Sequence, residues 1–143
     1  MKVKDLMTAS VSCVTPDTSL IQAARQMKQE NVGSIPVCSD KGEVLGIVTD
    51  RDLVVRSLAN GDEAAADVPV KAVMSTELVC ATPDMDTHDA ALLLSKYQIR
   101  RLPVRSSGRL AGILSLGDIA RKTLFIDEAG DVLSAVSKPG GLS

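Results

Sequence analysis

The sequence states one pattern twice. Residues 3–53 and 70–119 superpose with a single one-residue gap. Val3, Lys4 and Met7 recur as Val70, Lys71 and Met74, and Cys13, Thr15, Pro16 and Asp17 as Cys80, Thr82, Pro83 and Asp84. Ala23-Ala24 recurs as Ala90-Ala91, and Pro36-Val37 as Pro103-Val104. The offset is 67 up to the loops Ser39–Glu43 and Ser106–Arg109 and 66 beyond them, which sets Gly46, Ile47, Thr49 and Asp52 against Gly112, Ile113, Ser115 and Asp118. A unit of about fifty residues is marginal alone, whereas a chain this long buries roughly 68–70% of its unfolded surface. The duplication therefore predicts two similar subdomains with one shared core and paired, symmetry-related clefts at their junction.

Local patterning gives each copy the order strand, helix, strand, strand, helix. In the first, Leu20, Ala23, Ala24 and Met27 form one apolar stripe at helical spacing. Asp17 or Thr18 is the expected cap, and Asn31-Val32-Gly33 the stop. Ser34–Cys38 and Val44–Val48 read as short buried strands around the turn Ser39-Asp40-Lys41-Gly42. A second helix is expected from Asp50 to Asn60-Gly61. In the second copy the strands fall near Leu78–Ala81, Leu102–Val104 and Leu110–Leu114, with helices near Thr87–Tyr97 and from Leu116. The fold class expected is α/β (α+β): two pseudo-symmetric β-α-β-β-α repeats packed sheet to sheet. Residues 1–61 form repeat 1, 62–69 an Ala- and acid-rich linker, 70–125 repeat 2, and 126–143 a C-terminal tail. In the tail Ile126, Val132, Leu133 and Val136 can line one side of a short helix. Where repeat 1 has Arg25 and Gln26, repeat 2 has Leu92 and Leu93. That excess fits either a more deeply buried helix or a subunit interface, hence a homodimer.

Composition excludes several classes of function. A formal net charge of −2 gives no general attraction to nucleic acid or anionic membranes. One Tyr, one Phe and no Trp leave little surface for stacking bases, so a planar ligand would sit between aliphatic side chains. No stretch approaches the ~20 apolar residues of a membrane span. The start MKVKDLMTAS lacks the apolar core of a signal peptide, and a cytoplasmic location is expected. Cys13, Cys38 and Cys80 fit no zinc spacing and no disulfide framework. In the apolar settings VSCV and LVCA, Cys13 and Cys80 read as small buried hydrophobes, with a redox role the alternative.

Each copy ends its third strand with a hydroxyl and places an aspartate three residues on, in Gly46-Ile47-Val48-Thr49-Asp50-Arg51-Asp52 and Gly112-Ile113-Leu114-Ser115-Leu116-Gly117-Asp118. A carboxylate can accept hydrogen bonds from both hydroxyls of a ribose. A Ser or Thr hydroxyl beside a helix N-terminus can bind a phosphate oxygen, helped by free N–H groups and the helix dipole. Glycine lets the main chain approach a ligand closely. The same spacing is also a capping box with Asp in place of Glu or Gln, and the two roles are compatible. Pro36 and Pro103 keep the residues before them extended, leaving backbone groups for a base edge. Arg100-Arg101 stands where the first copy has Gly33-Ser34. Arginine pairs planar donors with phosphate oxygens, the alternative being a solvated surface pair. The two clefts are then unequal, one basic and one nearly neutral.

Taken together, VKDLM and VKAVM, CVTPD and CATPD, VGSIPV and IRRLPV, and GIVTDRDL and GILSLGDI resemble a pair of cystathionine β-synthase (CBS) domains, a Bateman module, over residues 3–124. The resemblance implies two clefts for adenosine-containing ligands such as AMP, ADP, ATP or S-adenosylmethionine. Each cleft would combine the T/S-x-x-D segment of one repeat with segments of the other. Carried onto this chain, cleft one uses Thr49 and Asp52 with Thr82, Arg100 and Arg101. Cleft two uses Ser115 and Asp118 with Thr15, Gly33 and Ser34. The family also implies disc-like dimers. Many members are regulatory pieces fused to an effector; this chain has no room for one, so a signal is expected to act in trans on an unknown target protein.

Catalysis finds little support. His88, the only histidine, sits in the polar start of a helix, where capping or solvation suits it better than proton transfer. No nucleophilic triad, metal cluster or P-loop can be assembled. The expected function is a non-enzymatic sensor with no required cofactor, its regulatory ligand an adenine nucleotide or S-adenosylmethionine. The alternative is a ligand-independent homodimeric interaction scaffold.

Overall fold

Each repeat is built on an antiparallel hairpin. The computed structural model describes residues 1–61 and 65–121, and the expected tail helix falls outside them. In chain order the elements are α1 (Val3–Leu6), α2 (Leu20–Glu30), β1 (Ser34–Cys38), β2 (Val44–Thr49), α3 (Asp50–Val55), α4 (Thr87–Tyr97), β3 (Arg101–Ser106), β4 (Arg109–Ser115) and α5 (Leu116–Ala120). Single 3₁₀ turns lie at Leu58–Asn60, Ala65–Asp67 and Val70–Ala72. The mixed helix-and-strand class with small sheets is as expected.

The hairpins follow their turn chemistry. Strand β1 pairs with β2 from Ser34↔Thr49 to Cys38↔Val44, and β3 with β4 from Arg101↔Ser115 to Ser106↔Arg109. The second turn, Ser107-Gly108, has φ of 51° and 79° at its two residues, the left-handed pair that a two-residue turn between right-twisted strands requires. The expected first strands are shorter than anticipated. Each is a single parallel bridge onto its hairpin, Val14↔Val37 and Ala81↔Val104.

The helix ends show local hydrogen bonding at work. Helix α2 is capped by Ser19, not by Asp17 or Thr18: Ser19 Oγ accepts from Gln22 N–H (3.2 Å), and Gln22 Oε1 accepts from Ser19 N–H (3.3 Å). Thr18 is otherwise engaged, its hydroxyl accepting from Thr15 N–H (3.1 Å). Asn31 and Gln98 close α2 and α4 in the left-handed region. The helix expected from Asp50 to Asn60 stops at Val55. Ser57 leaves helical geometry, and Asn60 Nδ2 donates to the Arg56 carbonyl (2.9 Å).

The compact units are cut differently from the sequence repeats. One comprises Ser12–Leu78; the other takes Met1–Val11 together with the chain from Val79 onward. Each copy of the V-K-x-x-M motif thus packs with the other copy's hairpin. Val70 N–H donates to the Thr18 carbonyl (2.8 Å) and Lys71 N–H to that of Pro16 (3.0 Å). In the other unit Val3 N–H donates to Met85 (2.9 Å) and Lys4 N–H to Pro83 (3.0 Å). The ion pairs are exchanged in the same way, Lys71–Asp17 at 3.1 Å and Lys4–Asp84 at 3.2 Å. Each unit has its own apolar cluster. Val14, Leu20, Ala23, Met27, Ile35, Val37, Val48, Val70 and Val73 make one. Val3, Leu6, Ala81, Ala90, Ala91, Leu94, Leu102, Val104, Leu114 and Ile119 make the other. The end of the expected linker is also tied down, with Leu20 N–H donating to the Val68 carbonyl (2.9 Å).

The repeated glycine in the third strand permits this exchange. A Cβ on Gly46 would stand 2.6 Å from the Ser75 carbonyl oxygen, and one on Gly112 2.6 Å from that of Thr8. These segments pair with the neighbouring residues: Ile47 with Ser75 and Ile113 with Thr8 each exchange two backbone bonds of 2.9–3.0 Å. The glycines therefore make room for the chain's own backbone, not for a ligand as the sequence suggested.

Two predictions follow from this packing. Gly112→Ala is expected to lose about 1–3 kcal/mol by overpacking against backbone. Gly117→Ala, in a helix where the added Cβ would meet only Ser115 Oγ at 3.6 Å and Arg121 Nη1 at 3.7 Å, both ordinary contacts, is expected to be neutral or stabilising; urea unfolding of both variants checks the contrast. The second concerns Asp84, whose carboxyl is held below its ordinary range by hydrogen bonding to Lys4, by the Lys4 charge and then by Lys2. A carboxyl lowered on folding stabilises above its unfolded pKa, and that contribution vanishes as pH falls through the native value. Asp84→Asn should therefore cost a small amount of stability at neutral pH, less in high salt and none in strong acid. Melting curves across that pH range decide it.

Candidate ligand-binding site

The hydroxyl–aspartate pairs sit where a strand runs straight into a helix. Strand β2 ends at Thr49 and α3 starts at Asp50; β4 ends at Ser115 and α5 starts at Leu116. Both junctions are reciprocal capping boxes. Thr49 Oγ1 accepts from Asp52 N–H (3.1 Å), while Asp52 Oδ2 accepts from Thr49 N–H (2.9 Å). Ser115 Oγ accepts from Asp118 N–H (3.0 Å), while Asp118 Oδ2 accepts from Ser115 N–H (2.8 Å). The capping role foreseen as the alternative is therefore filled at both places.

The remaining carboxylate oxygens face arginines that the sequence reading did not single out. Asp52 Oδ1 lies 3.5 Å from Arg56 Nε, and Asp118 Oδ1 pairs with the Arg121 guanidinium. The signal for both was their helical spacing, four and three residues after the acid. The two aspartates are the shielded partners, with side chains 13% and 6% exposed, whereas the arginines are largely solvated. Each Oδ1 still has a lone pair beyond its arginine contact, since a carboxylate offers about four acceptor positions.

The antiparallel register gathers further candidates at these junctions. In the Ser12–Leu78 unit, Ser34 lies opposite Thr49, and the Gly33 carbonyl accepts from Asp50 N–H (2.9 Å). In the other unit, Arg101 lies opposite Ser115, and the Arg100 carbonyl accepts from Leu116 N–H (2.8 Å). Gly33, Ser34, Thr49 and Asp52 thus form one cluster, and Arg100, Arg101, Ser115 and Asp118 its counterpart. Thr15 and Thr82 do not join them. Thr15 is held in its own turn by Thr18 (3.1 Å), and the Thr82 carbonyl accepts from Met85 N–H (3.2 Å).

The clusters differ in charge. Asp50 Oδ2 stands 3.0 Å from where a Gly33 Cβ would be, so a carboxylate occupies the space beside Gly33. The second unit has Arg100 at the Gly33 position and apolar Leu116 at that of Asp50. One cluster is therefore acidic and the other mixed, with two added cations. Asp50 escaped notice in the sequence, although its lining up with Leu116 was the available clue. Beside it a shallow depression of about 300 Å³ runs along α3, lined by Asp50, Arg51, Val54 and Val55.

The cysteines depart from their expected burial. Only Cys38 is buried; Cys13 is exposed and Cys80 intermediate. Strand alternation accounts for Cys13, because Val14 takes the inward position. Burial, followed by the neighbouring Cys13, pushes the Cys38 thiol up to about 12. Burial also raises Cys80, against an opposing pull from Arg105. Among the described residues no cluster of His, Cys, Asp or Glu is arranged to hold a metal ion, and no helix is long and apolar enough to cross a membrane.

The family model for the CBS domain matches this chain twice, over residues 3–58 and 70–124. The chain belongs to the CBS domain family, as a tandem pair. The CBS domain-containing protein YhcV of Bacillus subtilis is 44% identical over 135 residues, covering 94% of both chains. Among solved structures, CBSX2 in complex with AMP matches with a TM-score of 0.76 and 30% identity, over 88% of this chain and 98% of that one. The CBS domain pair of MJ0100 in complex with 5′-methylthioadenosine and S-adenosyl-L-methionine matches with a TM-score of 0.72 and 27% identity, over 90% and 98%. The recurrent T/S-x-x-D segments of this CBS pair are thus self-satisfied helix caps with a shielded carboxylate at each centre.

Thr49→Ala and Ser115→Ala are each expected to cost about 1 kcal/mol through loss of the cap. Asp118→Ala should cost more than Asp52→Ala, because the carboxylate that it removes from the cap is the more shielded of the two. Urea unfolding of the four variants measures both the size and the order.

Proposed function

We propose that this CBS pair is a regulatory module that binds an adenosine-containing ligand and acts on a separate target in trans. The observation that carries this reading is the repeated pairing of a shielded carboxylate with a hydroxyl at a strand-to-helix junction. It occurs in a chain related to proteins seen with AMP and with S-adenosyl-L-methionine. On this reading each carboxylate works with the residues gathered at its own junction, Thr49 and Asp52 with Gly33 and Ser34, and Ser115 and Asp118 with Arg100 and Arg101. The spare lone pairs of Asp52 and Asp118 accept from the ribose hydroxyls, with Arg56 and Arg121 turning outward to make room. Arg100 and Arg101 give the Ser115–Asp118 site its preference for phosphate. Binding reaches a target only if the ligand prefers one conformation of the module over another. The role is regulatory, the location cytoplasmic and the assembly a homodimer.

A ligand-independent homodimeric scaffold is the second reading. It is favoured by the 55% exposure of Leu92 on α4 and by caps that are satisfied without any ligand; Leu93, by contrast, packs against its own core. Calorimetry with AMP, ADP, ATP and S-adenosylmethionine separates the two. The sensor reading expects binding that weakens about tenfold or more in Asp52→Ala or Asp118→Ala, as for a hydrogen bond to a charged group. It also expects Arg101→Ala to weaken AMP more than adenosine. No heat from any of the four at millimolar concentration leaves the scaffold.

A further inference from the structure

Cys13 and Cys38 lie on adjacent segments joined by a parallel bridge, and the Cys13 thiol is near enough to act on that of Cys38. The backbone brings them together: Val14 bridges Val37 in parallel register, and Cys38 N–H donates to the Val14 carbonyl (2.8 Å). With Val14 and Val37 both turned into the core, the residues beside them share the opposite face. The other unit repeats this placement with different chemistry. Its counterpart of Cys13 is Cys80, and its counterpart of Cys38 is Arg105. Arg105 acts electrostatically on Cys80 there. The adjacency thus belongs to the repeat, and only the Ser12–Leu78 unit fills both places with sulfur.

We propose that Cys13 and Cys38 are a modification site, oxidised to an intramolecular disulfide by exchange with a low-molecular-weight disulfide. Cys13 is the exposed partner and the one that an external reagent reaches. Its thiolate attacks one sulfur of R–S–S–R; that bond breaks and R–S⁻ leaves, giving a mixed disulfide on Cys13. The Cys38 thiolate then attacks Cys13 Sγ and expels the second R–S⁻. The two protein thiols lose two electrons, the small disulfide gains them, and the two protons end on two molecules of R–SH. The buried Cys38 suits the resolving role, because it need meet only Cys13. Burial, the larger cause of the raised Cys38 thiol, persists and slows this step, while the opposition from Cys13 disappears once Cys13 carries the neutral mixed disulfide. The product ties the segment leading to Thr15 onto the end of β1. Cys80 has no thiol beside it within its unit and stops at the mixed disulfide.

The test uses the full-length reduced chain in glutathione buffers, trapped with an alkylating agent and digested with trypsin. The expected product is the peptide Asp5–Arg25 linked to Gln29–Lys41, from a monomer lighter by about 2 Da, the two hydrogens lost. Diluting oxidised and reduced glutathione tenfold at constant ratio should raise the linked-to-reduced ratio about tenfold, because the intramolecular product releases two thiols. The same dilution should leave the mixed disulfide on Ala72–Lys96, the Cys80 peptide, unchanged. Cys80→Ser should keep the link, and Cys38→Ser should leave Cys13 as a mixed disulfide. Recovery of the Cys13 and Cys38 peptides unlinked, linkage of Cys13 to Cys80, or linkage only between two copies of the chain overturns the proposal.

Discussion

Everything in this fold depends on how closely a backbone carbonyl can approach the third strand of each repeat. A hairpin of two strands is marginal by itself, and its free edge must be covered. Here the cover is the segment after each V-K-x-x-M motif. It reaches the edge only because Gly46 and Gly112 leave no Cβ in the way of Ser75 and Thr8. Once that approach is made, Val70 and Val3 enter their apolar clusters, and the lysine beside each finds the aspartate of a T-P-D turn. The exchange lies in the connectivity: Met1–Val11 is separated from the rest of its unit by the whole of the other.

That connectivity makes the two units unequal as folding problems. Ser12–Leu78 is continuous, so its pairings close modest loops. The other unit must bring Thr8 to Ile113 across most of the chain. Loop closure grows only slowly with length and adds little to the equilibrium cost, but distant pairings slow folding. The continuous unit has the means to form first and to hold the chain while the N-terminal segment finds its place.

Much of this was legible in sequence, and the failures share a cause. Strand positions, the bounds of α4 and the aspartates followed from local pattern, which side-chain periodicity reports directly. The exchange did not, because Val3 and Val70, or Met7 and Met74, are the same residue in the same pattern. Alignment of the repeats cannot say which copy packs with which hairpin. The cap of α2 was misplaced by one or two residues because Ser19, Thr18 and Asp17 are all competent, and the competing Thr15–Thr18 bond decided among them. At the site, the hydroxyls and carboxylates were found but Arg56, Arg121 and Asp50 were not. Their importance comes from what they touch, and nothing in their types announced it.

The occupied state of the two carboxylates bears on what a ligand must bring. Asp52 and Asp118 already accept a backbone N–H and face a guanidinium, so a sugar diol exchanges one set of polar contacts for another. Such an exchange contributes little net free energy by itself. Most of the affinity must then come from contacts that replace no existing polar partner: apolar enclosure of the base, or phosphate meeting Arg100 and Arg101. The second source exists on one cluster only, since the other places Asp50 beside Gly33. Two copies of one motif have thus diverged in charge while keeping the same cap, which lets a duplicated fold respond unequally to ligands that differ only in phosphorylation.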